Sequence, residues 1–410
     1  MTELSAPATD PTAFPTAFPP PRGCPFQHGE PLYRDLREQE RISKVTLPSG
    51  IPAWLLTRHD DVRAMLADPR FSANRRAPGF PVFTRGQFTV PDTAPSMIML
   101  DGPEHSAARR VVISEFSVKR IAALAPRIQE IVDGFVDDML AGPKPADLVR
   151  ALSLPVPSLV ICELLGVPYA DHDYFQTRTT ALIKRTTPPE ERLRVVGELR
   201  DYLADLVDGK IAHRTDDLLG RQIDRQRAER GEPDRDALIS LAVLLLIAGH
   251  ETTANMISLG TLALLSHPDQ LAGLRADPSR IPLAVEEMLR YFTIADFVTS
   301  RIAVEDVELG GVVIRAGEGV VGQALSANRD ESVFTDPEAL DLDRGRSNHV
   351  AFGFGPHQCL GQNLARKELQ LVFETLLRRV PTLALAADLA DLPYKDDATI
   401  YGVYELPVTW

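Results

Sequence analysis

Between Ala237 and His267 runs a stretch that is apolar on most sides when wound as a helix: Leu238, Ile239, Leu241 to Ala248, Ile257, Leu259 and Leu262 to Leu265. At 1.5 Å per residue its 31 or so positions would span roughly 46 Å, enough to cross a whole domain. A helix without a polar face has to be buried, so the rest of the chain must wrap it. Its polar residues gather at one place, Ala248-Gly249-His250-Glu251-Thr252-Thr253. Polar groups inside a buried helix require partners or a function. Gly249 costs a helix up to ~1 kcal/mol relative to alanine, which predicts the close approach of something flat or bulky. Thr252 is expected to return its hydroxyl to a carbonyl one turn back. The plainer reading is a Ser/Thr-lined helix contact with a packing glycine.

The second informative stretch is Phe352 to Arg366, FGFGPHQCLGQNLAR. Gly353, Gly355 and Pro356 allow a tight bend, and Leu360 to Arg379 reads as an amphipathic helix. Cys359 stands just before that helix, where unpaired N–H groups and the positive end of the dipole favour a thiolate. His357 is the one candidate base nearby and has no orienting partner, so a nucleophile is poorly supported. No other Cys or His stands at metal-ligand spacing, which excludes a zinc or iron–sulfur site built on this cysteine. A single thiolate can still hold a metal whose other ligands come from a macrocycle.

The pattern Phe352-Gly353-x-Gly355-x-His357-x-Cys359-Leu360-Gly361 resembles the haem-binding signature of cytochrome P450 monooxygenases, and Ala248 to Thr252 resembles that family's oxygen-activation motif. The resemblance extends in order from about Pro31 to Trp410. It implies haem b with the Cys359 thiolate as axial ligand, and O2 as co-substrate. Glu251 would relay protons and Thr252 would hydrogen-bond the oxygen being activated. His105 and Arg109, at i and i+4 on one helix face, would join Arg301 and His357 at the propionates. Phe352, Gly361, Ala248 and Gly249 would also border the cofactor. Phe88, Leu244, Ala248, Ile294, Val298 and Ile400 would line the substrate pocket. Glu287 and Arg290 resemble the family's Glu-x-x-Arg pair, with Arg344 as its third, structural member, although Glu191 and Arg194 repeat the spacing. The proline- and phenylalanine-bearing loop Ala77 to Pro95 would cap the pocket, and the break at Thr186 to Glu190 would belong to a mobile lid.

By its resemblance the fold is expected to be mainly α with small mixed β-sheets, one haem domain over residues 31–410. Residues 1–30, rich in Pro, Ala and Thr at their start, are expected to be extended or disordered. Pro126 to Leu140 and Leu148 to Leu165 read as helical, whereas Arg214 to Arg235 reads as a charged, solvated segment. Lys plus Arg is 44 against 57 Asp plus Glu, a net charge of −13, which argues against nucleic acid or an anionic membrane as the main partner. Cys24, Cys162 and Cys359 are far apart and form no disulfide framework. The longest apolar run, Leu241 to Ala248, is far short of the roughly 20 residues of a membrane span. A soluble, cytoplasmic monomer is expected.

The resemblance implies insertion of one oxygen atom from O2 into a bulky apolar compound, a polyketide, sterol-like molecule or xenobiotic. Electrons would come from NAD(P)H through ferredoxin reductase and ferredoxin, docking near Arg109, Arg110, Arg346, Arg366 and Lys367. Two other readings stay open: a peroxide-using or phenol-coupling haem-thiolate enzyme, and a haem-free helical protein that binds an apolar ligand.

Overall fold

A computed structural model describes residues 18–20, 22–26, 31–39, 41–83, 95–295, 299–345 and 348–410. The first third of the chain forms α1 (Pro31–Gln39), the hairpin β1 (Ile42–Thr46) and β2 (Pro52–Leu56), α2 (His59–Ala67) and the short β3 (Phe71–Ser72). There follow α3 (Gly102–Val112), α4 (Val118–Ala141), β4 (Ala146–Asp147) and α5 (Pro155–Leu165). The next group is α6 (His172–Ile183), α7 (Pro189–Ala212), α8 (Leu218–Arg230), α9 (Arg235–Ser266), α10 (Pro268–Ala276) and α11 (Ile281–Phe292). The last part holds β5 (Ser300–Ala303), β6 (Val307–Leu309), β7 (Val312–Ile314), β8 (Gly319–Gly322), α12 (Ala324–Ala327), α13 (Gln362–Arg379), β9 (Ala384–Leu385) and β10 (Pro407–Thr409). The architecture is mainly α with small sheets.

The long apolar stretch is α9. Asp234 caps it by accepting the Ala237 N–H at 3.0 Å. By length and composition α9 is also apolar enough to cross a membrane, a possibility that the run Leu241 to Ala248 taken alone does not show. Twenty of its 32 residues are buried, and α5, α7, α11 and α13 pack around it. Burial on several sides explains why its apolar residues follow no single stripe.

The main sheet has the order β1-β2-β8-β5-β3. β2 and β8 run parallel, while the other pairs are antiparallel. Ser72 pairs with Ile302, which brings the chain after β3 beside Arg301. β4, β10 and β9 form a second sheet, and β6–β7 a hairpin.

Three local expectations need correction. α4 begins eight residues before Pro126, behind a Ser117 hydroxyl that accepts the Arg120 N–H. The buried stripe Ile121, Ile128, Val132, Val136 and Met139 continues through the proline and outweighs one missing backbone bond. The charged segment Arg214 to Arg235 contains α8, which buries Leu218, Leu219 and Ile223 despite its arginines. Residues 18–20 and 22–26, expected to belong to a disordered N-terminus, are packed. Phe18 is buried against Phe83, and the Arg22 guanidinium lies 3.9 Å from the Tyr401 ring centroid. The Tyr401 hydroxyl donates to the Gly23 carbonyl at 2.6 Å. Single aromatic contacts of this kind leave no trace in composition.

Candidate haem and oxygen-activation site

Two stretches of chain supply the candidate residues. One is the middle of α9, where Ala248 is exposed and Leu244 and Thr252 are half-buried in an otherwise buried helix. The Thr252 hydroxyl donates to the Ala248 carbonyl at 2.9 Å, one turn back, and the helix continues unbroken. A Cβ on Gly249 would lie 2.8 Å from Cδ1 and Cγ1 of Ile161, so the absence of a side chain there admits α5.

Glu251 is 3% exposed and its carboxylate is held from three directions. Thr180 on α6 donates to Oε1 at 2.9 Å, Lys395 Nζ donates to Oε2 at 3.4 Å, and Asn255 Nδ2 stands 3.5 Å from Oε2. His250 beside it is fully buried. Its Nδ1 donates to the Leu246 carbonyl at 2.7 Å, which leaves Nε2 to accept from the Thr179 hydroxyl at 2.8 Å. Burial keeps this imidazole below its usual range.

The other is the cysteine loop. Gly353 and Gly355 take φ values of 70° and 71°, and a Cβ on Gly355 would lie 2.6 Å from the Leu66 carbonyl oxygen. The Cys359 N–H closes the loop on the Phe352 carbonyl at 2.8 Å. Burial pushes the Cys359 thiol up, while the N–H groups of Gly361 and Gln362 and the charges of Arg109 and Arg366 pull it down. By accessible area the same residue counts as exposed. The two observations agree if its sulfur opens onto an internal cleft rather than the outer surface. Cys162, by contrast, is buried among apolar side chains and its thiol is pushed to about 12.

Against this loop basic groups crowd together. The His105 and His357 rings stack with centroids 3.9 Å apart, and Arg109 Nη2 donates to the Gln358 carbonyl at 2.7 Å. Arg301 is 7% exposed, and burial lowers it to about 10. Arg75, which the sequence reading missed, is lowered to about 10 by burial and by Arg301. Burial first, then Arg301 and His105, hold His357 at about 3. Among the described residues Asp101 offsets them, 4.0 Å from His357 Nε2, and it also accepts from Ser72 and the Ala73 N–H. A buried cluster with so few anions fits the two propionates of a haem.

Behind the loop, Glu287 and Arg290 form two hydrogen bonds of 2.7 Å with both side chains fully buried. Arg344 Nε joins Glu287 at 3.0 Å. Arg290 also donates to the carbonyls of Asn328, Pro337 and Ala339, tying α11 to the chain that leads into the loop. The Glu191–Arg194 pair of identical spacing is exposed. Ile294 and Ile400 are buried, and the Tyr401 N–H donates to the Ile294 carbonyl at 2.9 Å. Phe88, Val298 and Arg346 lie outside the described residues.

The family model described as Cytochrome P450 matches residues 193–382. Pentalenic acid synthase of Streptomyces avermitilis is 49% identical over 407 residues, covering 99% of this chain and all of the relative. The crystal structure of cytochrome P450 MoxA from Nonomuraea recticatena is 60% identical at a TM-score of 0.88, covering 96% of this chain and 98% of that one. The mycinamicin VIII C21 methyl hydroxylase MycCI from Micromonospora griseorubida, bound to mycinamicin VIII, is 40% identical at a TM-score of 0.90, covering 96% and 100%.

Proposed function

Because the chain belongs to the cytochrome P450 family, we propose that Cys359 is the cysteine through which it holds its haem and that Glu251 and Thr252 serve the oxygen chemistry. The enzyme is a cytochrome P450 monooxygenase, with haem on a cysteine thiolate and O2 as co-substrate. Bound haem supplies the activation of O2 and the transfer of one oxygen atom into a C–H or C=C bond, the other leaving as water with two electrons and two protons.

The chain's own groups divide the remaining work within a haem domain of residues 31–410. His105, Arg109, Arg301 and His357, joined by Arg75, hold the propionates, and the cluster's mutual repulsion falls when those anions arrive. Phe352 and Gly361 shape the thiolate side. Ala248, without a long side chain, leaves room over the opposite face, and Thr252 presents a hydroxyl there. Glu251 brings protons from the side of α6 and Lys395. To serve Thr252 its carboxylate must leave Thr180 and Lys395, since both now hold it.

The substrate is an apolar organic molecule of considerable bulk, oriented by Leu244, Ala248, Ile294 and Ile400 together with Phe88 and Val298. MycCI, a methyl hydroxylase bound to mycinamicin VIII, supports this class. Electrons arrive from NAD(P)H through a reductase and an acidic ferredoxin. Arg110 is exposed on α3 and Lys367 half-buried on α13, and Ile113 between these helices is 48% exposed. Such a basic, partly apolar face suits an acidic partner.

The observation that carries the assignment is Cys359 placed just before α13, at the end of a glycine-bearing loop that its own N–H closes on the Phe352 carbonyl. Reduced, CO-treated protein should show a strongly red-shifted Soret band that disappears in Cys359→Ala. A colourless wild-type protein, or a band that survives the substitution, would overturn it.

A further inference from the structure

Glu286 stands beside the Glu287 of the buried trio but faces elsewhere. Its carboxylate accepts from Arg366 Nε at 2.6 Å and Nη2 at 2.9 Å. His349 Nε2 lies 3.2 Å from the same carboxylate. The Ala351 N–H donates to His349 Nδ1 at 3.2 Å, so Nδ1 carries no hydrogen and Nε2 is the donor to Glu286. Arg366 also reaches Gln362 Oε1 at 2.9 Å. Three elements, α11, α13 and the strand of chain entering the cysteine loop, are thereby joined.

This cluster reaches the cysteine loop. The Arg366 guanidinium carbon lies 4.6 Å from the centroid of the Phe352 ring, and the Phe352 carbonyl accepts the Cys359 N–H. Hydrogen bonds from His349 and Arg366 outweigh burial and hold Glu286 at about 2, ionised through the neutral range. One cation and one anion in bidentate contact cancel at a distance, whereas either alone would act on the sulfur through a poorly screened interior.

We propose that Glu286 is a positioning residue that acts through Arg366 to limit the positive field at the Cys359 sulfur, and so sets the reduction potential of the bound haem. The proposal rests on Cys359 being the haem ligand. An added electron is stabilised by nearby positive charge, and outer groups of this kind are known levers on haem potential. Loss of Glu286 therefore favours ferrous haem, and loss of Arg366 favours ferric haem.

The test is a spectroelectrochemical titration of the haem-loaded full chain as wild type, Glu286→Gln, Arg366→Gln and the double variant, without substrate. Glu286→Gln should raise the ferrous-to-ferric ratio at fixed poise about threefold, or about 28 mV, given 59 mV per tenfold for one electron. Arg366→Gln should lower it by a similar factor, and the double variant should return to the wild-type value. Shifts of the same sign, or no shifts with the red-shifted CO band intact, would overturn the proposal. If Glu286→Gln fails to retain haem, Arg366→Gln and the double variant still decide: a lowered ratio restored in the double supports it, and any other pattern overturns it. Absence of the CO band in the wild type would instead remove the Cys359 assignment.

Discussion

The His105 and His357 rings stack 3.9 Å apart, joining α3 to the cysteine loop at a point where Arg301 and Arg109 supply positive charge that keeps both imidazoles below their usual range. Such a cluster is costly alone and favourable with an anion. Arg301→Gln should therefore leave the haem-free protein as stable as the parent or slightly more so. The same substitution should weaken haem retention about 10- to 100-fold, the value of one charge-assisted bond of about 1.5–3 kcal/mol. Transfer of haem to an acceptor apoglobin, set beside thermal unfolding of the haem-free chain, measures both. Unchanged transfer rates would place the propionates elsewhere.

Gly249 offers a test of packing. Helix propensity alone would make Gly249→Ala stabilising by up to ~1 kcal/mol. Contact with Ile161 at 2.8 Å reverses the sign, and overpacking should cost about 1–3 kcal/mol. Ile161→Ala removes the two atoms in conflict, so the double variant should be less destabilised than the sum of the singles. Denaturant titration of the four proteins reads this directly. Additive losses would mean that α5 yields easily at this contact.

Burial, not spacing, separates the two Glu-x-x-Arg pairs. Arg290→Met leaves Glu287 charged in the interior and removes donors from three carbonyls, so it should cost about 3–5 kcal/mol. Arg194→Met, at a pair that is largely solvated, should stay within about 1 kcal/mol. Equal losses in urea denaturation would show that burial does not set the cost of removing the arginine.

Acid unfolding should report on Glu286. Its folded value near 2 lies below the ordinary 4.5, so the unfolded state binds more protons between those limits. The stabilisation is present above pH 4.5 and is lost as pH falls toward 2. Glu286→Gln should flatten the dependence of the unfolding midpoint on pH within that window and leave the slope above pH 5 unchanged. An identical slope in both proteins would show that other carboxylates dominate.

Much of the arrangement can be read from the chain because its signals are local. The apolar run of α9, the glycines before Cys359 and the Glu287–Arg290 spacing each lie within one short stretch, and each takes the form its residues predict: a buried helix, a turn with positive φ, a buried ion pair. What escapes a sequence reading depends on pairing between distant segments. Arg75 comes to the cation cluster because β3 pairs with β5, and no period or motif around it says so. Lys395 and Thr180 meet Glu251 from 144 and 71 residues away. Gly249 marks a close approach in sequence without naming the neighbour, and a Cβ there would meet Ile161.

The hold on Glu251 bears on its proposed part in turnover. Thr252 keeps its hydroxyl against the Ala248 carbonyl, whereas the Glu251 carboxylate is turned toward α6 and Lys395. The two residues should therefore fail in different ways. Thr252→Ala should leave haem content and substrate binding intact while diverting NAD(P)H consumption toward peroxide, because protons still arrive but are no longer placed. Glu251→Gln should slow turnover on the order of 10²-fold, the usual loss for a group that delivers a proton, with little added peroxide. Stopped-flow reduction, product yield and peroxide per reductant consumed distinguish the cases. Full coupling in Thr252→Ala would remove Thr252 from the proton route, and unchanged turnover in Glu251→Gln would show that protons enter without passing the contacts to Thr180 and Lys395.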